Sequence, residues 1–104
     1  MLQYKADFEK IAWESPIAGV RHKCFDQNRL RLRLVEYTQA MPPHWCEKGH
    51  YGYIIEGELE IEYDKETITY KSGDGLFIPD GLEHRHRGRV LSEKVLVFFM
   101  EMVR

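Results

Sequence analysis

The run PPHWCEKGHYGYIIEG, Pro42 to Gly57, puts two histidines, a cysteine and a glutamate within the seven residues His44–His50. It then becomes an aromatic and β-branched segment, Tyr51 to Ile55, closed by Glu56-Gly57. Such composition ending at a turn residue predicts a strand. Outward from this run the same signal repeats. Asn28 to Tyr37, NRLRLRLVEY, alternates with period two, setting Leu30, Leu32 and Leu34 against Arg29, Arg31 and Arg33. That pattern predicts a half-buried strand. We expect its arginines on a solvent face, paired with Glu58, Glu60 and Glu62.

Glu58 to Tyr63 alternates again, and after Asp64-Lys65 the segment Glu66 to Tyr70 returns as a hairpin partner. Ser72-Gly73-Asp74-Gly75 and Pro79-Asp80-Gly81 bracket a short strand, Leu76 to Ile78. Lys94 to Val103, KVLVFFMEMV, is nearly all apolar and predicts a strand covered on both faces, within the domain or by a second subunit. Asp7 to Glu14 predicts one or two helical turns before Ser15-Pro16. Many short strands, with too little chain between them for helical crossovers, give an all-β sandwich or barrel.

The 104 residues suggest one domain with a modest core. A formal charge of -2 gives no bulk attraction to nucleic acid or to a membrane surface. The charged N-terminus has no long apolar run, so neither a signal peptide nor a transmembrane span is expected. Two cysteines, Cys24 and Cys46, do not make a disulfide framework. The expected location is the cytoplasm, where Cys46 stays reduced and available as ligand or nucleophile.

Five histidines are present, four of them in two clusters: His44 and His50, then His84 and His86. If the chain stays extended after Pro42-Pro43, residues 44 and 46 share a face. A barrel mouth can bring the two clusters together. Imidazole and thiolate donors suit Zn, Fe, Ni, Cu or Mn rather than Ca or Mg. His22 lies outside both clusters and reads as a surface residue. A Cys46–His nucleophilic pair is conceivable, but the sequence supplies neither an oxyanion hole nor a third, orienting group. The glycines at 57, 73 and 81 read as turn residues, not as a phosphate loop. The basic stretch His84 to Arg89 reads as a solvated loop, and Trp45, Tyr51 and Tyr53 as packing residues.

Two segments together resemble the two motifs of the cupin superfamily. His44-Trp45-Cys46, three residues, His50, six residues and Gly57 parallels the first motif, about residues 44–57. Gly73, five residues, Pro79-Asp80-Gly81, two residues and His84 parallels the second, about residues 73–88. The resemblance implies a single small cupin domain over residues 1–104, a double-stranded β-helix or jelly-roll barrel. In the family, two histidines and a glutamate of the first motif join the histidine of the second on a divalent metal. Here Cys46 stands at the second histidine position, His50 at the glutamate position, and Gly88 at the final asparagine. The ligand set so implied is His44, Cys46, His50 and His84.

Losing a carboxylate and gaining a thiol softens that set, toward one divalent transition metal such as Zn, Fe, Ni or Cu. Glu47, opposite Cys46 in strand alternation, is a secondary donor. His86 is a secondary candidate that could orient a substrate, although an exposed loop residue is its plainer reading. The resemblance implies metal-dependent chemistry on a small molecule, of dioxygenase, isomerase or lyase type. The alternative is a non-enzymatic small-molecule- or metal-sensing module, and a closed structural Zn site is a third reading. The expected partners are a small ligand or substrate and a second copy of the chain in a homodimer, without nucleic acid or membrane.

Overall fold

The computed structural model describes residues 1–103. It contains nine strands: β1 (Glu14–Ile17), β2 (Val20–Gln27), β3 (Leu30–Thr38), β4 (His50–Glu56), β5 (Glu58–Tyr63), β6 (Thr67–Lys71), β7 (Gly75–Ile78), β8 (His86–Val90) and β9 (Lys94–Met102). Two short 3-10 turns, Phe8–Lys10 and Leu82–His84, interrupt them. The strands form an antiparallel six-stranded sheet, β1-β2-β3-β9-β4-β7, and an antiparallel three-stranded sheet, β6-β5-β8. This is an all-β fold, as the strand periodicity predicts, in the jelly-roll arrangement that the cupin resemblance implies.

Alternation decides what each strand buries. β9 turns Val95, Val97, Phe99 and Glu101 inward and leaves Met100 and Met102 on the opposite face. β4 contributes Ile54, β5 Leu59 and Ile61, and β7 Leu76 and Ile78 to the same core. β9 lies between β3 and β4, so its long apolar run sits mid-sheet.

The segment before Ser15 holds one 3-10 turn, within the one or two turns expected, but Ser15-Pro16 falls inside β1 instead of ending a helix. The chain from Val20 to Gln27 is a full strand that the sequence did not signal, joined to β3 by a tight turn at Asn28 and Arg29 (φ 52° and 63°). The faces of β3 are also reversed. Val35 is fully buried, so Arg31, Arg33 and Tyr37 share its inward phase, and Leu32 and Leu34 take the outer face. The arginines therefore do not meet Glu58, Glu60 and Glu62. Arg31 binds Asp26 through two hydrogen bonds of 2.7 and 2.9 Å, and Arg33 reaches His22 and Glu101. Glu60 and Glu62 pair instead with Arg89 and Arg87 on β8, inside the stretch read as a solvated loop.

Candidate metal centre

The first cluster meets the second through the backbone. The Cys46 N–H donates to the His86 carbonyl at 2.8 Å and the His86 N–H to the Cys46 carbonyl at 2.9 Å, a two-residue antiparallel bridge. A second latch lies one turn away. The Gly49 N–H donates to the Asp80 carboxylate, and the Gly81 N–H donates to the Glu47 carbonyl at 3.0 Å. Gly49 is buried, and a Cβ there would collide with the Ile78 carbonyl. A glycine at 49 is thus what allows the chain to press against the Pro79-Asp80 turn before β4 starts.

His50 opens β4 and points inward, 9% exposed. Its ring stacks on Phe99 (centroids 4.6 Å apart, planes 27° apart) and stands edge-on to His86 at 5.2 Å. His86 opens β8 and is 6% exposed, so it is neither in a loop nor at the surface. One donor atom from each of Cys46, His50 and His86 lies within 4.8 Å of the other two. His44 is exposed but lines the same cavity. His84 ends the 3-10 turn Leu82–His84, beside Glu83 at 3.8 Å, and lines a different depression with Tyr63, Asp64 and Tyr70. Glu47 faces a third depression, with Lys48 and Asp80. The structure thus brings together Cys46 and His50 of the implied ligands with the secondary candidate His86, and leaves His84 and Glu47 outside that group. The 3-10 turn is the reason: it takes His84 out of the strand phase that His86, Gly88 and Val90 share.

The outer partners of the imidazoles fit a metal centre. His50 Nδ1 lies 2.6 Å from Glu101 Oε2, His86 Nδ1 lies 3.0 Å from the His84 carbonyl oxygen, and His44 Nδ1 lies 3.2 Å from the Pro42 carbonyl oxygen. In each case the oxygen can only accept, so Nδ1 is the donor of the bond. Metal-binding histidines are held in this way by a carboxylate or a carbonyl. Thiolate and imidazole nitrogens form a borderline-to-soft donor set, suited to a divalent transition metal.

Charge reinforces the arrangement. Burial alone would raise the Glu101 carboxyl, but the His50 hydrogen bond and the charges of His50, Arg33 and Lys48 prevail and hold it at about 2. Burial would lower His50, but its hydrogen bonds to Cys46 and Glu101 outweigh that and keep it above the ordinary value. The hydrogen bond with His50 draws the Cys46 thiol below its ordinary value, against the effect of burial. Cys24, in contrast, is pushed up by burial. Both cysteines are free thiols.

Sequence reasoning missed Glu101, Arg33 and Lys48 at this site. Glu101 had a legible signal: it is the lone carboxylate in the inward phase of β9. Arg33 had none, because alternation separates two faces without saying which one is inside. The cavity beside the cluster measures about 270 Å³ and is mostly apolar, with Tyr37, Met41, Leu59, Ile61 and Phe99 in its wall. Burial pushes the Tyr37 phenol up to about 12, so it stays a neutral hydrogen-bond donor.

The family model for the cupin domain matches residues 32–100, which takes in both histidine clusters and the strands around them. The chain belongs to the cupin family. Among curated proteins, this cupin is 38% identical over 48 residues to the polyketide synthase CurC of Streptomyces cyaneus, a match covering 46% of this chain and 31% of that protein. It is 44% identical over 45 residues to the uncharacterized protein YdbB of Bacillus subtilis, covering 42% of this chain and 40% of that protein. The matches therefore span less than half the length of either relative. Among solved structures, the polyketide cyclase RemF of Streptomyces resistomycificus superposes with a TM-score of 0.78 at 19% identity, covering 99% of this chain and 81% of that one. An RmlC-like cupin from Shewanella frigidimarina superposes with a TM-score of 0.76 at 18% identity, covering 99% and 93%. At these identities the superpositions speak for the fold.

Proposed function

We propose that this cupin binds one divalent transition metal through Cys46, His50 and His86 and uses it on a small, largely apolar molecule in the adjoining cavity. The supporting observation is the outer pairing of the imidazoles: His50 and His86 both hold Nδ1 against an oxygen, and each brings a ring nitrogen close to the Cys46 thiol. His44, on the same cavity, is the candidate for a fourth donor. When bound, such a metal supplies Lewis acidity to a substrate oxygen or activates a water or O₂. The chain's own part is to hold the donors, to keep water off the substrate with the apolar wall, and to offer Tyr37 as a neutral donor. The polyketide synthase relative and the polyketide cyclase neighbour favour a polyketide substrate and a cyclase-type reaction. Elemental analysis after repletion with Zn²⁺ or Fe²⁺ tests the reading: about one equivalent per chain supports it, and no stoichiometric metal would defeat it.

The same reading includes a homodimer. Across the outer face of the larger sheet, Phe25, Leu32, Met100, Tyr51 and Phe77 are neighbours in register. Phe77 is 80% exposed and Tyr53, in the next row, 52%. A contiguous apolar row of this kind favours a second copy of the chain as its cover. Free thiols suit a reducing compartment, and we place the chain in the cytoplasm on that ground. Among the described residues no helix is long and apolar enough to cross a membrane.

A further inference from the structure

The inward face of β9 runs Val95, Val97, Phe99, Glu101, and its last member is a carboxylate only 2% exposed. An ionised carboxylate is costly to bury unless it is well paired. Two cations are near it: Arg33 Nη1 lies 3.3 Å from Oε2 and Lys48 Nζ 3.4 Å from Oε1. Neither is its shortest contact. That is His50 Nδ1, at 2.6 Å from Oε2, while Oε1 is buried without a hydrogen bond. The carboxylate is thus aimed at the imidazole, and the cations stand behind it.

His50 is held from two sides, by this bond and by Phe99 stacked on its ring. His86 is held in the same manner by a backbone carbonyl, which no side-chain change can remove. Glu101 is therefore the side chain whose hydrogen bond orients an imidazole of the cluster, with Phe99 packed on its face.

We propose that Glu101 is a positioning residue. It holds the His50 Nδ1–H and fixes the ring so that the other nitrogen faces Cys46 and His86, where a metal would take its lone pair. The consequence for metal affinity rests on the metal reading above; the state of His50 does not. The competing account is that Glu101 only neutralises Arg33 and Lys48. On that account its loss would weaken the fold and leave the His50 proton where it is.

The experiment uses the full chain, labelled with ¹⁵N. Long-range ¹H–¹⁵N spectra of the metal-free protein report which His50 nitrogen is protonated, and Co²⁺ titrations report affinity for wild type and Glu101→Gln. In wild type, Nδ1 carries a downfield, exchange-protected proton. In E101Q that proton moves upfield and exchanges faster, and Co²⁺ affinity falls about 10- to 100-fold. Lower thermal stability in E101Q with an unchanged His50 spectrum and unchanged affinity would overturn the proposal. Should E101Q fail to fold, Glu101→Asp takes its place: a His50 Nδ1 proton and a Co²⁺ affinity both unchanged overturn the positioning role, and a proton moved upfield with weakened affinity upholds it. Should wild type bind no Co²⁺, the metal reading falls, and the same His50 proton still decides the role of Glu101.

Discussion

At the scale of single residues, Glu101 ties stability to pH. Its carboxyl is held at about 2, below its ordinary 4.5. A carboxylate depressed in the folded state stabilises the fold above its unfolded value, and that contribution is lost as pH falls through the folded one. Urea unfolding at successive pH values should therefore show wild type losing stability from about pH 4.5 down toward 2, with E101Q losing less over the same window. Parallel curves for the two proteins would remove Glu101 as the source. Cys46 and His50 were legible as candidate donors because motif spacing survives in the sequence. His86 was legible only as a second choice, since nothing in the letters announces the 3-10 turn that turns His84 away. Arg33 was unreadable in its role: its partner Glu101 lies 68 positions along the chain.

At the scale of elements, period two carried β3 and β5, aromatic and β-branched composition carried β4, bracketing turns carried β7, the long apolar run carried β9, and the Asp64-Lys65 turn carried the β5–β6 hairpin. None of these carried β2 or β8. VRHKCFDQ mixes charge and aromatics without a clean alternation, and HRGRV has a glycine at an inward position with arginines on either side. Both become strands through their neighbours: β2 by pairing along its whole length with β3, β8 by pairing with β5. Gly49 tests the β4 entry. Gly49→Ala must push the chain off the Ile78 carbonyl, so we expect a loss of about 1–3 kcal/mol in chemical denaturation. Hydrogen exchange should speed at β4 and β7 before β5 and β6. Ile54, fully buried between the sheets, should cost about 2–5 kcal/mol as Ile54→Ala, with the site's donors left in place.

For the whole molecule, the sequence implied two covered faces for the β9 region without saying what covers the outer one. The structure puts Val95, Val97 and Phe99 against the smaller sheet and leaves Met100 and Met102 on the outside, 41% and 51% exposed. The N-terminal turn covers one corner of that face, where Phe8 stands edge-on to Phe98 at 6.2 Å. The row from Phe77 to Phe25 is the face on which we propose that the second copy sits. Light scattering should give a dimer for wild type and a monomer for Phe77→Glu combined with Met100→Glu, with metal uptake unchanged. A wild-type monomer at every concentration would refute the second copy.

The central claim is the identity of the donors, and Co²⁺ spectroscopy of two histidine variants addresses it most directly. Wild type should take up one Co²⁺ with a thiolate-to-cobalt charge-transfer band from Cys46. His84→Ala should keep that band and its affinity. His86→Ala should weaken binding by about tenfold or more, with an altered visible spectrum. Loss of binding in His84→Ala, with His86→Ala unaffected, would contradict the account.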